Sequence, residues 1–361
     1  MKQEVSKIGI MLDGVEPSPL ELSKESIQLA EMVRDPRLTL IDRIESYEDI
    51  ISLELGDTSL SRARNIERGS GIRQLFLKFE GGNPSGTQKD RIAFAQCLDA
   101  IRRGFDTITM ATCGNYGAAV ALAAKLAGLR CVIFIPEAYH TLRIKEMENQ
   151  GAIVRRFAGT YEDTVVHSVA QAVEKEWYDA NPGGSNTSLQ LMAYAEIANE
   201  IYDQLRDAPK IIAVPVSNGT LLAGIYRGFV SLYKRGRTSR IPKMIAGSSA
   251  NKNPIIYSFK KGLDHCLDLE PDKIRETKVN EPLINWHSFD GEEALYAINQ
   301  SKGAGFDVTD EKMLQQAKLL KEKEGLLVLP AATAGLAALL EMHRTEAFEP
   351  DRYVAVITAK K

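Results

Sequence analysis

The sequence is poor in the residues that hold metals or form disulfides, with four cysteines and five histidines among 361 residues. No two cysteines form a CxxC pair, and the histidines are equally dispersed. Scattered cysteines of this kind are typical of reduced thiols rather than of a zinc or disulfide framework. We therefore predict no metal site. The cysteines are Cys97, Cys113, Cys131 and Cys266.

Long apolar runs and an excess of one charge are also absent from the sequence. The most apolar stretch, AAVALAAKLAGL, is interrupted by Lys125, and the N-terminal segment MKQEVSKIGIMLDG has no apolar signal core. The net charge is −3, and no basic run is present. We therefore expect a cytoplasmic protein that binds neither membrane nor nucleic acid.

Neither GxGxxG nor GxxxxGK[ST] occurs, so these two nucleotide-phosphate motifs are excluded. Short apolar, β-branched runs alternate instead with longer amphipathic stretches, which predicts an α/β fold with mostly parallel sheets. Eight runs suit two sheets better than one. The predicted strands are LFLKFE (75–80), TITMAT (107–112), CVIFIP (131–136), AIVRRF (152–157), IIAVPV (211–216), KMIAGSS (243–249), LLVLPA (326–331) and YVAVITA (353–359).

Four of these strands are followed by loops of small, hydroxyl- or amide-bearing residues that contain glycine and lead into a helix. In open α/β sheets, ligands bind at the carboxyl ends of the strands, so these loops are the candidate site. Each loop alone is more often an ordinary helix cap. The loops are GGNPSGTQK (81–89), TCGNYG (112–117), SNGTLLAG (217–224) and AATAGLAAL (331–339).

The chemistry of these loops is complementary. Helix N-termini preceded by small residues bind anions, so SNGT is a candidate phosphate cradle and TCGNYG a candidate carboxylate site. Lys89 ends the first loop, and a lysine beside two anion sites can form a Schiff base with a carbonyl. Together these features predict pyridoxal 5′-phosphate carrying an amino-acid substrate.

The motifs also resemble those of the fold-type II pyridoxal-phosphate enzymes in the tryptophan synthase β and cysteine synthase superfamily. The resemblance is greatest to the threonine synthase-like members. ELGDTSL (54–60) is similar to their EGxTPL segment, and EGGNPSGTQKDR (80–91) to their ExxNPTGSFKDR lysine motif. The resemblance extends over roughly residues 50–358 in the order of the family. It implies two α/β lobes with a catalytic lysine.

The resemblance implies roles for individual residues. Lys89 would carry the cofactor as a Schiff base and move protons to and from substrate carbons. Asn115 would contact the ring hydroxyl of the cofactor, and Thr333 its pyridine nitrogen. The implied phosphate-binding residues are Ser217, Asn218, Gly219, Thr220 and Leu221, and the implied substrate-binding residues are Thr112, Cys113, Gly114, Tyr116, Ser185 and Gln190.

Threonine synthase-like lyase chemistry is the reaction that the resemblance implies, with O-phosphohomoserine and water giving threonine and phosphate. Among the positions that depart from the family pattern, Tyr116 replaces a small hydroxyl residue, and Gln190 stands where an arginine would face the distal phosphate. Arg143 or Lys145 could supply that charge instead. A β-replacement synthase acting on O-activated serine, a serine/threonine dehydratase and a catalytically silent paralogue remain as alternatives.

The expected organisation is a large pyridoxal-phosphate-binding domain and a smaller mobile domain. Residues 1–70 and 186–361 are assigned to the large domain, with an accessory helical segment at 1–50, and residues 71–185 to the small one. The resemblance also implies a homodimer.

Overall fold

A computed structural model describes residues 22–139, 141 and 143–361 of the chain. The accessory helical segment was expected at residues 1–50. Residues 1–21 of it, and the N-terminal sequence MKQEVSKIGIMLDG, lie outside the described residues. The described α-helices are α1 (Lys24–Arg34), α2 (Leu40–Glu54), α3 (Arg64–Ser70), α4 (Lys89–Arg102), α5 (Asn115–Ala127), α6 (Ile144–Asn149), α7 (Tyr161–Glu174), α8 (Thr187–Leu205), α9 (Thr220–Lys234), α10 (Pro254–Lys260), α11 (Gly291–Gln300), α12 (Asp310–Glu324) and α13 (Ala334–Thr345). The strands are β1 (Leu60–Arg62), β2 (Leu75–Phe79), β3 (Thr107–Ala111), β4 (Arg130–Pro136), β5 (Ile153–Phe157), β6 (Tyr178–Asp179), β7 (Ile211–Pro215), β8 (Lys243–Ser249), β9 (Ala304–Val308) and β10 (Tyr353–Ile357).

The described chain divides into two compact units. The larger unit comprises residues 57–82 and 191–361, and the smaller unit comprises residues 22–56 and 83–190. The expected division at 70/71 and 185/186 therefore differs from the observed one. It differs most at the N-terminal helices, which were assigned to the large domain. Cofactor binding by the large domain and mobility of the small domain remain predictions.

The smaller unit is built on a four-stranded parallel sheet with the order β5-β4-β3-β6. Every residue of β3 is buried, as is typical of a parallel strand covered by helices on both faces. Helix α5 is rich in alanine, and all its alanines are buried, because small side chains let it lie close to its neighbours. α1 packs on α5 and α2 packs on α4. The Tyr47 hydroxyl of α2 donates to the Ala123 carbonyl of α5 at 3.1 Å.

The larger unit is built on a six-stranded sheet with the order β1-β2-β10-β7-β8-β9. All neighbours are parallel except β1, which runs antiparallel to β2. Its core contains Leu77 and Phe79 of β2 and Leu336 of α13. Full burial of one such side chain stabilises the fold by about 1.5–3 kcal/mol. The predicted α/β class with mostly parallel sheets is confirmed.

The start of α13 lies unusually close to the centre of this sheet. A Cβ atom on Gly247 of β8 would come within 2.1 Å of the Ala334 carbonyl oxygen, and one on Gly335 within 2.8 Å of the Val214 nitrogen. Only glycine permits these approaches. The short 3₁₀ helix Pro330–Thr333 is thereby placed against β7.

One predicted strand is wrong. LLVLPA (326–331) forms only isolated bridges, at Leu326 and at Val328, before Pro330 begins the 3₁₀ helix, and Val328 is paired antiparallel with Lys360. Leu326 and Val328 are buried, so the run is apolar because it is buried and not because it pairs with a neighbouring strand. Pro330 also lacks the N–H group that a central strand needs for hydrogen bonding. Three short strands, β1, β6 and β9, were not predicted. No helix in the described part of the chain is both long and apolar enough to cross a membrane.

Candidate active site

Lys89 is the first residue of α4 and follows the glycine-rich loop that begins after β2. Gly81 is required there, because a Cβ atom would lie 2.5 Å from the Phe79 ring and 2.7 Å from the Lys360 nitrogen. Gly86 has a φ of +83°, which glycine adopts without strain, and its N–H donates to the Asn83 carbonyl at 2.8 Å. The glycines thus allow the backbone conformation of this loop, and the loop ends with Lys89 as the first residue of a helix.

Tyr116 lies beside Lys89 in the smaller unit. The Lys89 Nζ is 5.3 Å from the centroid of the Tyr116 ring, within the range of a cation–π contact. The phenol is buried and held at its far end, where it donates to the Ala180 carbonyl at 2.7 Å and accepts from Gln96 Nε2. The ring therefore has a fixed position next to the amine.

Gln190 reaches Tyr116 only indirectly, through Gln96. The Gln190 Nε2 donates to Gln96 Oε1 at 3.1 Å and to the Asn181 carbonyl at 3.0 Å. Gln190 is buried, with 1% of its surface exposed to solvent. Gln190 was predicted to contact substrate, and here it is a buried member of an uncharged network. Ser185, predicted alongside it, is exposed.

The TCGNYG loop is organised by the hydroxyl of Thr112. Its Oγ1 accepts the N–H groups of Gly114 and Gly117, each at 3.0 Å. Gly114 has a φ of +154°, and a Cβ atom on it would lie 2.8 Å from Thr141 Oγ1. Thr112 thus shapes the loop from inside, while Cys113 is half-buried on it. The loop leads into the N-terminus of α5, and the carboxylate site remains a prediction.

Asn115, the first residue of α5, is held by Arg143. The guanidinium Nη1 donates to Asn115 Oδ1 at 2.9 Å, and Nη2 donates to the Ser85 carbonyl at 2.8 Å. Glu146 accepts from Arg143 Nε at 2.7 Å and from Nη2 at 2.6 Å. Arg143 therefore joins the lysine loop to the Asn115 loop.

Asp90, next to Lys89, is fully buried. Its Oδ2 accepts the Ser85 N–H at 2.8 Å, whereas its Oδ1 has no hydrogen-bond partner within the described part of the chain. Burial raises the pKa of this carboxyl from 3.8 to about 6, against the opposing effects of the Ser85 hydrogen bonds and the Arg143 charge. The carboxyl thus fixes the lysine loop at an electrostatic cost.

The SNGT loop follows β7 in the larger unit and opens α9. Gly219 has a φ of +99°, and a Cβ atom on it would lie 2.7 Å from Ala294 Cβ and 2.8 Å from the Asp290 carbonyl oxygen. The backbone at this position thus needs glycine. Helix α9 starts at Thr220 with its free N–H groups, which is the arrangement that binds phosphate.

Hydrogen bonds to neighbouring residues fix the conformation of the SNGT loop. The Thr220 hydroxyl donates to the buried Asp290 carboxylate, and Asn218 Oδ1 accepts from Asn285 Nδ2 at 3.2 Å. The Ser217 carbonyl accepts from Asn253 Nδ2 at 3.0 Å. A phosphate at this loop would therefore be held chiefly by backbone N–H groups.

Thr333 ends the 3₁₀ helix that packs on β7, in the same unit as the SNGT loop. It is fully buried, and its hydroxyl lies 2.7 Å from the Pro330 carbonyl oxygen and 3.1 Å from that of Met313. To meet a pyridine nitrogen, this neutral hydroxyl would turn its single hydrogen away from the carbonyl oxygens, and it would leave the nitrogen unprotonated.

Each unit, taken by itself, carries residues that fit part of pyridoxal phosphate. In the larger unit, the N-terminus of α9 matches a phosphate, and the packing at Gly219 leaves no room for a Cβ atom. In the smaller unit, Lys89 is the candidate amine. The sequence also matches the family described as "Pyridoxal-phosphate dependent enzyme" over residues 51–359. The chain belongs to this family. The predicted cofactor and the prediction of a pyridoxal-phosphate-dependent lyase are thereby confirmed.

Two curated members of the family are threonine synthases. The threonine synthase of Methanocaldococcus jannaschii is 31% identical over 317 residues, which cover 87% of this chain and 76% of that protein. The threonine synthase of Methanosarcina acetivorans is 29% identical over 310 residues, covering 85% and 75%. The predicted likeness to threonine synthases is confirmed by these matches.

Solved structures share the fold at lower identity. Maize serine racemase superposes with a TM-score of 0.72 at 20% identity, covering 88% of this chain and 92% of that one. A fungal L-serine ammonia-lyase from Rhizomucor miehei gives a TM-score of 0.71 at 23% identity, covering 85% and 94%. The predicted fold-type II architecture is confirmed, and at these identities the likeness shows the fold alone.

Several residues that support the site were not singled out from the sequence, and four of them show why. Asp90 was inside the lysine motif, but its burial has no local signal. Gln96 lies further along α4, beyond that motif. Asp290 precedes α11, where an N-cap rule would mark it as a helix start but not as a partner of Thr220. Asn285 belongs to a loop with no sequence pattern.

Proposed function

We propose that this family member catalyses elimination and replacement on the side chain of an activated amino acid, in the manner of a threonine synthase. The reaction would convert O-phosphohomoserine and water to threonine and phosphate. The observation that carries this proposal is the 31% identity to a threonine synthase over 87% of the chain. Threonine synthase activity is thus the first reaction to test.

The proposed roles follow from the chain's own residues. Pyridoxal phosphate, when bound, withdraws electrons from the amino acid and so labilises bonds at its α-carbon and along its side chain. Lys89 Nζ takes and returns protons at the substrate carbons, and the adjacent Tyr116 ring limits where that amine moves. The N–H groups at the start of α5 that Thr112 does not engage receive the substrate carboxylate.

The remaining roles concern the cofactor. Asn115 contacts its ring hydroxyl, and the backbone of residues 217–221 binds its phosphate. Thr333 meets the pyridine nitrogen with a neutral hydroxyl, which moderates electron withdrawal and favours elimination over transamination. The tight packing around Gly219 supports the phosphate assignment, because the loop has no freedom to take another shape.

A β-replacement synthase acting on O-activated serine is the second candidate. The Tyr116–Gln96–Gln190 network favours it, because the three side chains are uncharged and Gln190 is 1% exposed. A distal phosphate dianion gains about 1.5–3 kcal/mol from each charge-assisted hydrogen bond, and this network provides none. A serine/threonine dehydratase is the third candidate.

We further propose a cytoplasmic homodimer with a large cofactor-binding domain and a smaller mobile one. Static light scattering measures the oligomeric state directly. A mass of twice 39.9 kDa is expected, and the mass of a single chain would contradict the dimer.

A substrate screen tests the proposed reaction. The purified holoenzyme and its Lys89→Ala variant are incubated with O-phosphohomoserine, O-phosphoserine, O-acetylserine, serine and threonine, and absorbance, phosphate and amino-acid products are followed. Phosphate and threonine released from O-phosphohomoserine by the wild type, and not by Lys89→Ala, would support the proposal. Turnover of the serine esters alone would support the second candidate, and no turnover of any compound would contradict both.

A further inference from the structure

Arg143 is the residue that joins two parts of the candidate site within the smaller unit. It stands in the loop between β4 and α6, and it is half-buried. One guanidinium nitrogen donates to Asn115 Oδ1 at 2.9 Å, and another donates to the Ser85 carbonyl, four residues before Lys89, at 2.8 Å. The residue therefore touches both the Asn115 loop and the lysine loop.

The chemistry of the two side chains fixes which end of the amide faces Arg143. A guanidinium carries only donors, whereas an asparagine amide has one acceptor oxygen and one nitrogen with two hydrogens. Arg143 can bind only the oxygen of Asn115. The Asn115 Nδ2 is then turned away from the guanidinium and presents its hydrogens to another acceptor. A hydrogen bond from a cation also polarises the amide and makes its N–H a stronger donor.

Four of the five guanidinium N–H groups of Arg143 are engaged within the described part of the chain. Glu146 accepts from Nε at 2.7 Å and from Nη2 at 2.6 Å, and the backbone N–H of Arg143 donates to Thr141 Oγ1 at 3.2 Å. The guanidinium is thus held in place by Glu146 and Ser85. A residue anchored in this way suits a fixed support better than a cation that moves onto a substrate phosphate.

We infer that Arg143 is a positioning residue that acts through Asn115, holding the amide so that its N–H groups face the ring oxygen of the bound cofactor. The inference rests on the proposed contact between Asn115 and that oxygen. It also assigns Arg143 a role different from that of a substitute phosphate-binding cation. Removal of Arg143 should weaken cofactor binding and favour the un-ionised ring hydroxyl.

A double-mutant cycle on cofactor affinity tests this inference. The variants are Arg143→Met, Asn115→Ala and the double variant, each prepared as apoprotein and titrated with pyridoxal phosphate while the visible absorbance bands are recorded. We expect Arg143→Met to raise the Kd on the order of tenfold, as loss of an outer-shell partner does at metal sites. In the Asn115→Ala background the same substitution should change the Kd by less than about twofold.

Two controls separate positioning from charge and folding. Lys145→Met removes a neighbouring exposed cation and should leave the ratio of the two absorbance bands unchanged. Arg130→Met removes an exposed guanidinium from the start of β4, the end opposite the Arg143 loop, and should leave the Kd unchanged. If Arg143→Met does not fold by circular dichroism, Arg143→Lys and Arg143→Gln take its place in the cycle.

The outcomes distinguish the inference from the function on which it rests. Equal effects of the Arg143 substitution in both backgrounds would overturn the inference and leave the role of Asn115 intact. An Asn115→Ala variant with wild-type cofactor affinity would overturn the proposed contact itself. Non-additive effects together with a shifted band ratio in Arg143→Met would establish that Arg143 acts through Asn115.

Discussion

The buried carboxyl of Asp90 should make the protein less stable as the pH rises from about 4 to about 6. Its pKa is raised from 3.8 to about 6, so between these values the folded protein holds a proton that the unfolded chain has released. The stability that the neutral carboxyl contributes is present below pH 3.8 and is lost as the pH rises through the folded pKa. At about 1.4 kcal/mol per pKa unit, the loss is about 3 kcal/mol.

Asp90→Asn isolates this effect. An asparagine keeps an oxygen that can accept the Ser85 N–H, and it has no charge to bury. We expect the variant to be more stable than the wild type at pH 8, by up to about 3 kcal/mol, and to show no such gain at pH 4. The gain will be smaller to the extent that the amide binds Ser85 less strongly than the carboxylate does.

Urea unfolding followed by circular dichroism from pH 4 to pH 8 measures the difference. Glu148→Gln, at an exposed position in the same unit, serves as the matched control, and its difference from the wild type should not vary in the same way. A stability difference for Asp90→Asn that is constant across this pH range would refute the reasoning. So would a variant that is less stable than the wild type at pH 8.

Three further substitutions test other parts of the structure. Gly219→Ala should weaken pyridoxal phosphate binding at least tenfold in an absorbance titration, because the residue has a φ of +99° and a Cβ atom would lie 2.7 Å from Ala294 Cβ; unchanged affinity would contradict the cradle. Lys78→Met should lower the free energy of unfolding by about 3–5 kcal/mol in urea, since Lys78 is fully buried and its Nζ lies 2.6 Å from Glu200 Oε2. Gln190→Arg should lower the Tm by several degrees, because Gln190 is 1% exposed and an unpaired guanidinium would be buried; an unchanged Tm with improved O-phosphohomoserine turnover would show that this position faces the substrate.

The strands that could be predicted from the sequence are those that are buried on both faces and therefore form apolar runs. β3, β4 and β8 lie within the apolar runs, or within one residue of them, because central parallel strands are apolar on both faces. The edge strand β9, AGFDV, has little apolar character and escaped prediction. LLVLPA was predicted as a strand and is not one, because Leu326 and Val328 are buried without forming a strand of the sheet.

The candidate site could be predicted where backbone geometry demands particular residues. Gly219 and Gly114 have backbone angles and close neighbours that exclude a side chain, so their loops are visible in the sequence. The contacts that support these loops were not visible. The Arg143–Asn115 bond joins residues 28 apart, and the Thr220–Asp290 bond joins residues 70 apart. Nothing local in a sequence encodes such pairs.

The central claim is that Lys89 carries the cofactor of this pyridoxal-phosphate enzyme. Borohydride reduction of the holoenzyme, followed by proteolysis and mass spectrometry, fixes the cofactor to the amine that holds it. We predict one pyridoxyl group on the peptide that contains Lys89, and none in the Lys89→Ala variant, which should also lose the visible absorbance. A pyridoxyl group on any other lysine of the wild-type protein would contradict the account.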